Sequence, residues 1–141
     1  MREILFRGKD VYTDDWVVGY YEFGFDSGTE EPTYYIWTVN HSEKEGEIFM
    51  VDPETVGQYT GLTDKNGKKI FEGDIVKHYN NSDDGFDIGA LYWDETFSQW
   101  KRTSIGNFHH RSFTYSMSRS CEYETIGNIH DNPDLLKGEQ G

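Results

Sequence analysis

Trp16-Val17-Val18-Gly19-Tyr20-Tyr21-Glu22-Phe23 is the stretch that decides the fold. It consists mostly of β-branched and aromatic residues, which favour extended strands over helices. Both of its alternating faces are largely apolar, which predicts a central strand covered on two sides. The rest of the chain agrees, because one Ala and five Leu leave few strong helix formers among 141 residues. The sequence therefore predicts a mainly β protein.

Shorter segments on either side repeat this pattern. Further strands are predicted at residues 2–7, 34–39, 47–51, 74–79, 88–93, 97–101 and 123–129, with turns between them. The first strand is expected to end in a turn at residues 8–10, and short helical turns are expected after Asp52 and at Pro133. Strands of this length and spacing predict antiparallel pairing in a small barrel-like (SH3-like) or a two-sheet architecture.

The composition indicates how such a fold is stabilised. Nine Phe, ten Tyr and four Trp can each bury roughly 150–250 Å² and must supply most of the core. A single cysteine, Cys121, excludes an internal disulfide. No apolar run approaches the roughly 20 residues that span a bilayer. We therefore expect a soluble, intracellular protein with no membrane partner.

Asp64-Lys65-Asn66-Gly67-Lys68 is the strongest turn signal, because Asn66-Gly67 accommodates the positive φ angles of tight hairpins. Gly61 and Gly73 mark two further places where the backbone must turn. We interpret Gly61, Asn66, Gly67 and Gly73 as structural turn positions, since glycines at this density serve turns more often than ligands. No Gly-rich loop ends in Gly-Lys-Ser/Thr, which argues against a phosphate-binding loop.

Three segments occur in a distinctive order along the chain. They are Arg2-Glu3-Ile4-Leu5-Phe6-Arg7, the block from Thr55-Val56-Gly57-Gln58-Tyr59 to Asp74-Ile75-Val76, and Thr125-Ile126-Gly127-Asn128-Ile129-His130-Asp131-Asn132-Pro133-Asp134-Leu135-Leu136. In this order they resemble the YopX family of phage and prophage proteins. The resemblance implies a β-rich fold, a phage or prophage genome as source, and homo-oligomers. The expected location is then the cytoplasm of the bacterial host, and no reaction or site residue is implied.

The charge is distributed unevenly. The chain carries 26 acidic and 13 basic side chains, a formal charge of -13. Residues 1–59 hold four basic and 13 acidic side chains, whereas residues 60–141 hold nine and 13. We expect one YopX-like domain over residues 1–141 with two lobes, an acidic β lobe at 1–58 and a small β-barrel lobe at 59–136. Residues 137–141 are expected to fray.

No local motif indicates catalysis or metal binding. A Gly-x-Ser-x-Gly elbow is absent, and Glu122 beside Cys121 disfavours the thiolate that a cysteine nucleophile needs. The histidines at 41, 78, 109, 110 and 130 show no ligand spacing with other donors. We expect no catalytic residue, metal or cofactor, and a protein that is not an enzyme.

Residues 96–121 contain no acid. The candidate interaction residues in this segment are Trp100, Lys101, Arg102, Phe108, Arg111 and Arg119. Three interpretations stay open: the aromatics belong to the core, the segment contacts a protein, or it binds single-stranded nucleic acid by stacking and phosphate contacts. The net charge disfavours the last, because it repels a polyanion.

Three hypotheses about function follow. The first is a non-catalytic structural or interaction protein that self-associates head to tail, with the acidic first half meeting the 96–121 segment of another copy, or that binds a host or phage protein. The second is a nucleic-acid accessory module that uses residues 96–121. A third hypothesis makes the acidic surface a DNA mimic that occupies a host DNA-binding protein.

Overall fold

The computed structural model describes residues 4–25, 28, 30–38, 46–80, 85–103, 115–116 and 122–137. Over these residues the protein is mainly β, with antiparallel strands in two sheets and only short 3-10 turns besides. The predicted fold class is confirmed, and the two-sheet alternative is the one found, because the described strands do not close into a barrel. In the described part of the chain, no helix has the length and apolar composition needed to cross a bilayer.

The chain divides into two compact units, Met1–Tyr59 and Thr60–Gly141. The first contains four strands, a 3-10 turn and the start of a fifth strand: β1 (Phe6–Lys9), β2 (Trp16–Phe25), β3 (Pro32–Trp37), β4 (Ile48–Met50), the turn Pro53–Thr55 and β5 (Gly57–Thr63). Their hydrogen-bonded order is β4-β3-β2-β1-β5. The turn forms as predicted, with the Asp52 carboxylate accepting a hydrogen bond from the Glu54 backbone N–H at 3.0 Å.

The inner face of this sheet carries the core of the first unit. Ile36 and Val51 are fully buried there. Gly8 lies between them, where an added Cβ would be 3.1 to 3.3 Å from Val51, Val56 and Ile36. A larger residue at position 8 would therefore crowd this core.

Two expectations for the first unit are wrong. Strand β1 continues through Lys9 instead of turning at residues 8–10, and the chain reverses just afterwards, where the Asp10 carboxylate accepts the Tyr12 backbone N–H at 2.8 Å. Strand β2 is covered on one face only, since Val18 and Tyr20 on the other face are exposed. An apolar pattern on both faces does not distinguish a buried face from an exposed apolar one.

The second unit contains the rest of β5 and six further strands: β6 (Lys69–Phe71), β7 (Asp74–Asn80), β8 (Gly85–Asp94), β9 (Gln99–Arg102), β10 (Tyr115–Ser116) and β11 (Tyr123–Asn128). Strand β6 lies beside β5, and the other five have the order β10-β9-β8-β7-β11. A 3-10 turn at Pro133–Leu136 follows. Strands β5, β6 and β10 were not predicted, and β9 starts later than predicted because residues 95–98 form a turn.

The core of the second unit is small and largely aliphatic. Ile70, Val76, Leu91 and Tyr123 are buried together. Leu62 and Trp100 pack against this cluster. The buried cluster thus contains fewer aromatic residues than the composition predicted, and many aromatic side chains lie outside this cluster.

Candidate interaction surfaces

Of the six residues predicted to form an interaction surface, Trp100, Lys101 and Arg102 lie in the described part of the chain. Arg102 is only 3% exposed, with its guanidinium carbon 5.3 Å from the centre of the Tyr123 ring. Its Nε donates a hydrogen bond to the Tyr123 hydroxyl at 3.2 Å. Trp100 packs on the core and makes an edge-to-face contact with Trp93 at 5.1 Å.

Lys101 is also bound within its own chain. Its Nζ lies 2.7 Å from the Asp94 carboxylate and 4.5 Å from the centre of the Phe97 ring. The Lys101 hydrogen bond, together with backbone N–H donors of Thr96 and Phe97, lowers the pKa of Asp94 although burial opposes this. Trp100, Lys101 and Arg102 therefore fit the core interpretation of their segment. Phe108, Arg111 and Arg119 lie outside the described residues.

An exposed apolar surface occurs instead in the first unit. We call it the outer aromatic face and define it by Val18, Tyr20, Glu22, Trp37 and Ile48. Tyr20 lies opposite Trp37 in the β2–β3 register, and Trp37 lies opposite Ile48 in the β3–β4 register. Directly opposed residues share one side of a sheet, so these three side chains form a row across three strands. Tyr20, Trp37 and Ile48 are 55%, 40% and 48% exposed.

Glu22 adds a carboxylate to this row. It accepts a hydrogen bond from the Trp37 indole Nε1 at 2.7 Å. The bond fixes the orientation of the indole while the residue remains exposed. Within the described residues, no cationic side chain lies over the Tyr20 or Trp37 ring.

Trp16, on the same side of the sheet, already has two cationic side chains over its ring. The Arg7 guanidinium lies 4.6 Å from the centre of the Trp16 ring, and Lys9 Nζ lies 5.4 Å from it. Lys9 also forms an ion pair with Asp14 at 3.4 Å. Arg7 lies opposite Val18 in the β1–β2 register, so this cation borders the outer aromatic face.

The densest group of cations in the described residues lies at the β5–β6 turn. We call it the lysine turn and define it by Lys65, Lys68 and Lys69, which are all exposed. Gly67 has φ of 80° there, and Gly61 and Gly73 also have positive φ, at 84° and 89°. All three glycines thus adopt the conformation that favours glycine. Gly67 and Gly73 lie in turns as predicted, whereas Gly61 lies inside β5 and not at a turn.

Asp64 holds the lysine turn in place. Its carboxylate accepts hydrogen bonds from the backbone N–H groups of Asn66 at 2.8 Å, Lys68 at 2.9 Å and Thr125 at 3.1 Å. Burial alone would raise the pKa of Asp64, but these backbone donors outweigh it and the pKa lies below its ordinary value. The turn is therefore tied to β11 by an ionised carboxylate.

Sequence reasoning missed both surfaces. The aromatics of β2 and β3 were assigned to burial, and the lysines beside Asn66-Gly67 were treated only as part of a turn. One signal was present, because Glu22 interrupts an otherwise apolar alternation.

In the part of the chain that the structure describes, no group of three or more His, Cys, Asp or Glu side chains is arranged to hold a metal ion.

These features define a mainly β protein of two units in which an apolar sheet face is exposed. The family model described as YopX protein matches residues 5–137, nearly the whole chain. The protein therefore belongs to the YopX family.

A crystal structure of protein EF1440 from Enterococcus faecalis is similar in fold. It is 23% identical in sequence, and the match covers 97% of this chain and all of that one with a TM-score of 0.52. At this identity the likeness shows the fold alone. No curated protein matches the chain.

Proposed function

We propose that this YopX-family protein is a non-catalytic, phage- or prophage-encoded interaction protein that self-associates in the host cytoplasm. The outer aromatic face carries this proposal. Contiguous exposed apolar side chains on a sheet raise the free energy of the protein in water, and such patches mark sites of protein contact. Tyr and Trp, which lie next to each other in the row, are also the residue types that dominate binding energy at interfaces.

The alternatives draw less support from the described residues. A nucleic-acid module was expected to use residues 96–121, but Lys101 and Arg102 are bound to Asp94 and Tyr123 within the chain. A DNA mimic needs only a dense acidic surface, and the row of Tyr20, Trp37 and Ile48 adds nothing to such mimicry. Self-association accounts for the exposed row directly, because the row is buried in the assembly.

The proposal is tested by sedimentation velocity over a range of protein concentrations from about 1 to 200 μM, which brackets weak to moderate association. We expect the wild-type average mass to rise with concentration and that of Trp37→Ala to stay near the monomer. Phe97→Ala is the matched control, because Phe97 is an exposed aromatic residue of the second unit. Thermal melts should show that both variants are folded. A wild-type protein that is monomeric at every concentration would contradict the proposal.

A further inference from the structure

We propose that Asn66-Gly67 is a modification site at which the asparagine converts without an enzyme to aspartate and isoaspartate, and that Asp64 slows this conversion in the folded protein. The sequence contains an Asn-Gly pair at this position alone. Both residues are exposed at the β5–β6 turn. The inference goes beyond self-association and does not depend on it.

The reaction begins when the backbone nitrogen of Gly67 loses its proton to hydroxide and attacks Cγ of the Asn66 side chain. The new N–Cγ bond replaces the Cγ–Nδ2 bond, the amide group leaves as ammonia, and a cyclic imide remains. Water then opens the imide at Cγ to give aspartate, or at the backbone carbonyl carbon to give isoaspartate. The net change exchanges one ammonia for one water, so no oxidant or reductant is needed.

Gly67 leaves the attacking nitrogen open to the side chain. Glycine has no Cβ to shield this nitrogen, and an added Cβ at position 67 would have no atom within 4 Å. Because Asn66 and Gly67 are exposed, hydroxide and water reach the site for both steps. The turn therefore combines the reactive pair with the solvent that the conversion requires.

The hydrogen bonding of the turn opposes the first step. The Gly67 N–H donates to the Asp64 backbone carbonyl at 3.0 Å, and this bond must break before the nitrogen loses its proton. Neither Lys65 nor Asn66 has a positive φ, so Asn66 is the third residue of a type I turn, where ψ is about 0°. Ring closure needs rotation about the Asn66 Cα–C bond away from this angle, until the Gly67 nitrogen eclipses Cβ of Asn66.

The Asp64 side chain resists this rotation. Its Oδ1 accepts the backbone N–H groups of Asn66 at 2.8 Å and of Lys68 at 2.9 Å, one on each side of the reactive bond. Its Oδ2 accepts the Thr125 backbone N–H at 3.1 Å, which holds the carboxylate against β11. The reactive geometry is therefore reached when the turn opens.

Conversion weakens the same structure that slows it. Isoaspartate adds one carbon atom to the backbone between the N–H groups of residues 66 and 68, so these groups no longer match the single Asp64 Oδ1 atom. Both products also add a negative charge close to the Asp64 carboxylate. Modification is thus expected to loosen the turn from Asp64.

The experiment incubates the full chain at mildly alkaline pH and digests samples with a protease that cleaves after glutamate. Residues 55–72 are recovered as one peptide, and chromatography with mass spectrometry separates its asparagine, aspartate and isoaspartate forms. The rate in urea, where the chain is unfolded, gives the conversion without the turn. We expect folded wild type to convert at least about tenfold more slowly, because even two hydrogen bonds of ordinary strength correspond to such a factor.

Two variants separate local opening of the turn from unfolding of the whole chain. Asp64→Ala removes the side-chain acceptor, and its conversion should be at least about tenfold faster than in wild type. Gly89→Ala is the matched control, since its Cβ would overlap the Thr103 carbonyl oxygen and destabilise the sheet without changing the turn. Its rate should stay within about threefold of wild type, because a local opening does not require global unfolding. Circular dichroism establishes that each variant is folded during incubation, and the comparison of wild type with and without urea needs no variant.

The peptide of residues 125–139 is an internal control for the choice of site. In it Asn128 precedes the β-branched Ile129, and Asn132 precedes Pro133, which has no backbone N–H. If this peptide converts in urea as fast as residues 55–72, Asn66-Gly67 is not a preferred site and the inference fails. A folded wild-type rate equal to the rate in urea, or equal acceleration in Asp64→Ala and Gly89→Ala, would also overturn it.

Discussion

The Gly89→Ala variant is expected to lose about 3 kcal/mol of stability or more, because the added methyl group meets backbone and not a movable side chain. Gly89 is buried on β8, paired with Val76 of β7. A Cβ at this position would overlap the carbonyl oxygen of Thr103 and lie 2.6 Å from its carbonyl carbon.

Thr103 cannot move away without further loss. Its backbone N–H donates to the Ala90 carbonyl at 3.0 Å, and its hydroxyl oxygen accepts the Ala90 backbone N–H at 3.0 Å. The methyl group would therefore break the end of the β8–β9 pairing, or β8 would shift away from β7.

Urea denaturation followed by tryptophan fluorescence measures this loss. Gly24→Ala is the matched control, since Gly24 also lies in a long strand but a Cβ there would have no atom within 4 Å. We expect Gly24→Ala to stay within about 0.5 kcal/mol of wild type. Equal midpoints for the two variants would show that Thr103 does not limit the space at Gly89.

The second large effect is expected for Asp64→Ala, at about 3 kcal/mol, because three backbone N–H groups lose an ionised acceptor at once. Two of these donors, Asn66 and Lys68, lie in the turn, and the third, Thr125, lies on β11. Loss of Asp64 therefore releases both the turn and its attachment to the sheet. Asp134→Ala is the control, because that carboxylate forms only an exposed ion pair with Lys137.

The contribution of Asp64 should also depend on pH in a defined direction. Its pKa in the folded protein is lowered, so its stabilisation is fully present above the unfolded pKa of about 3.9. It is lost as the pH falls through the lower folded pKa. The stability difference between wild type and Asp64→Asn should therefore be constant near neutral pH and shrink below about pH 4. A difference that grows in acid would contradict this assignment.

Local chemistry made much of the fold predictable from the sequence. The Asn66-Gly67 pair predicted its turn because few other residues adopt positive φ, and Asp52 before Pro53 predicted a helical turn because the carboxylate satisfies a free N–H group. The alternation within β2 predicted a strand because such side chains suit extended backbone. Each of these predictions depends only on residues that are close together in the chain.

The features that the sequence did not predict depend on residues that are neighbours in space but not in the chain. The sequence around Gly89 does not reveal that the Thr103 carbonyl lies against it, since that contact is created by the pairing of β8 with β9. The outer aromatic face escaped for a similar reason. Tyr20, Trp37 and Ile48 are separated by 17 and 11 residues in the chain, and only the strand register places them side by side.

Thiol protection in a single-cysteine variant tests self-association through the outer aromatic face most directly. Val18→Cys, in a Cys121→Ser background, places an exposed thiol on this face without removing an aromatic ring. Its alkylation by iodoacetamide is predicted to slow as the protein concentration rises from about 1 to 200 μM, because association buries the face, whereas the thiol of a Phe97→Cys control in the second unit should react at the same rate throughout. Alkylation of the Val18→Cys thiol at one rate over the whole range would contradict the account.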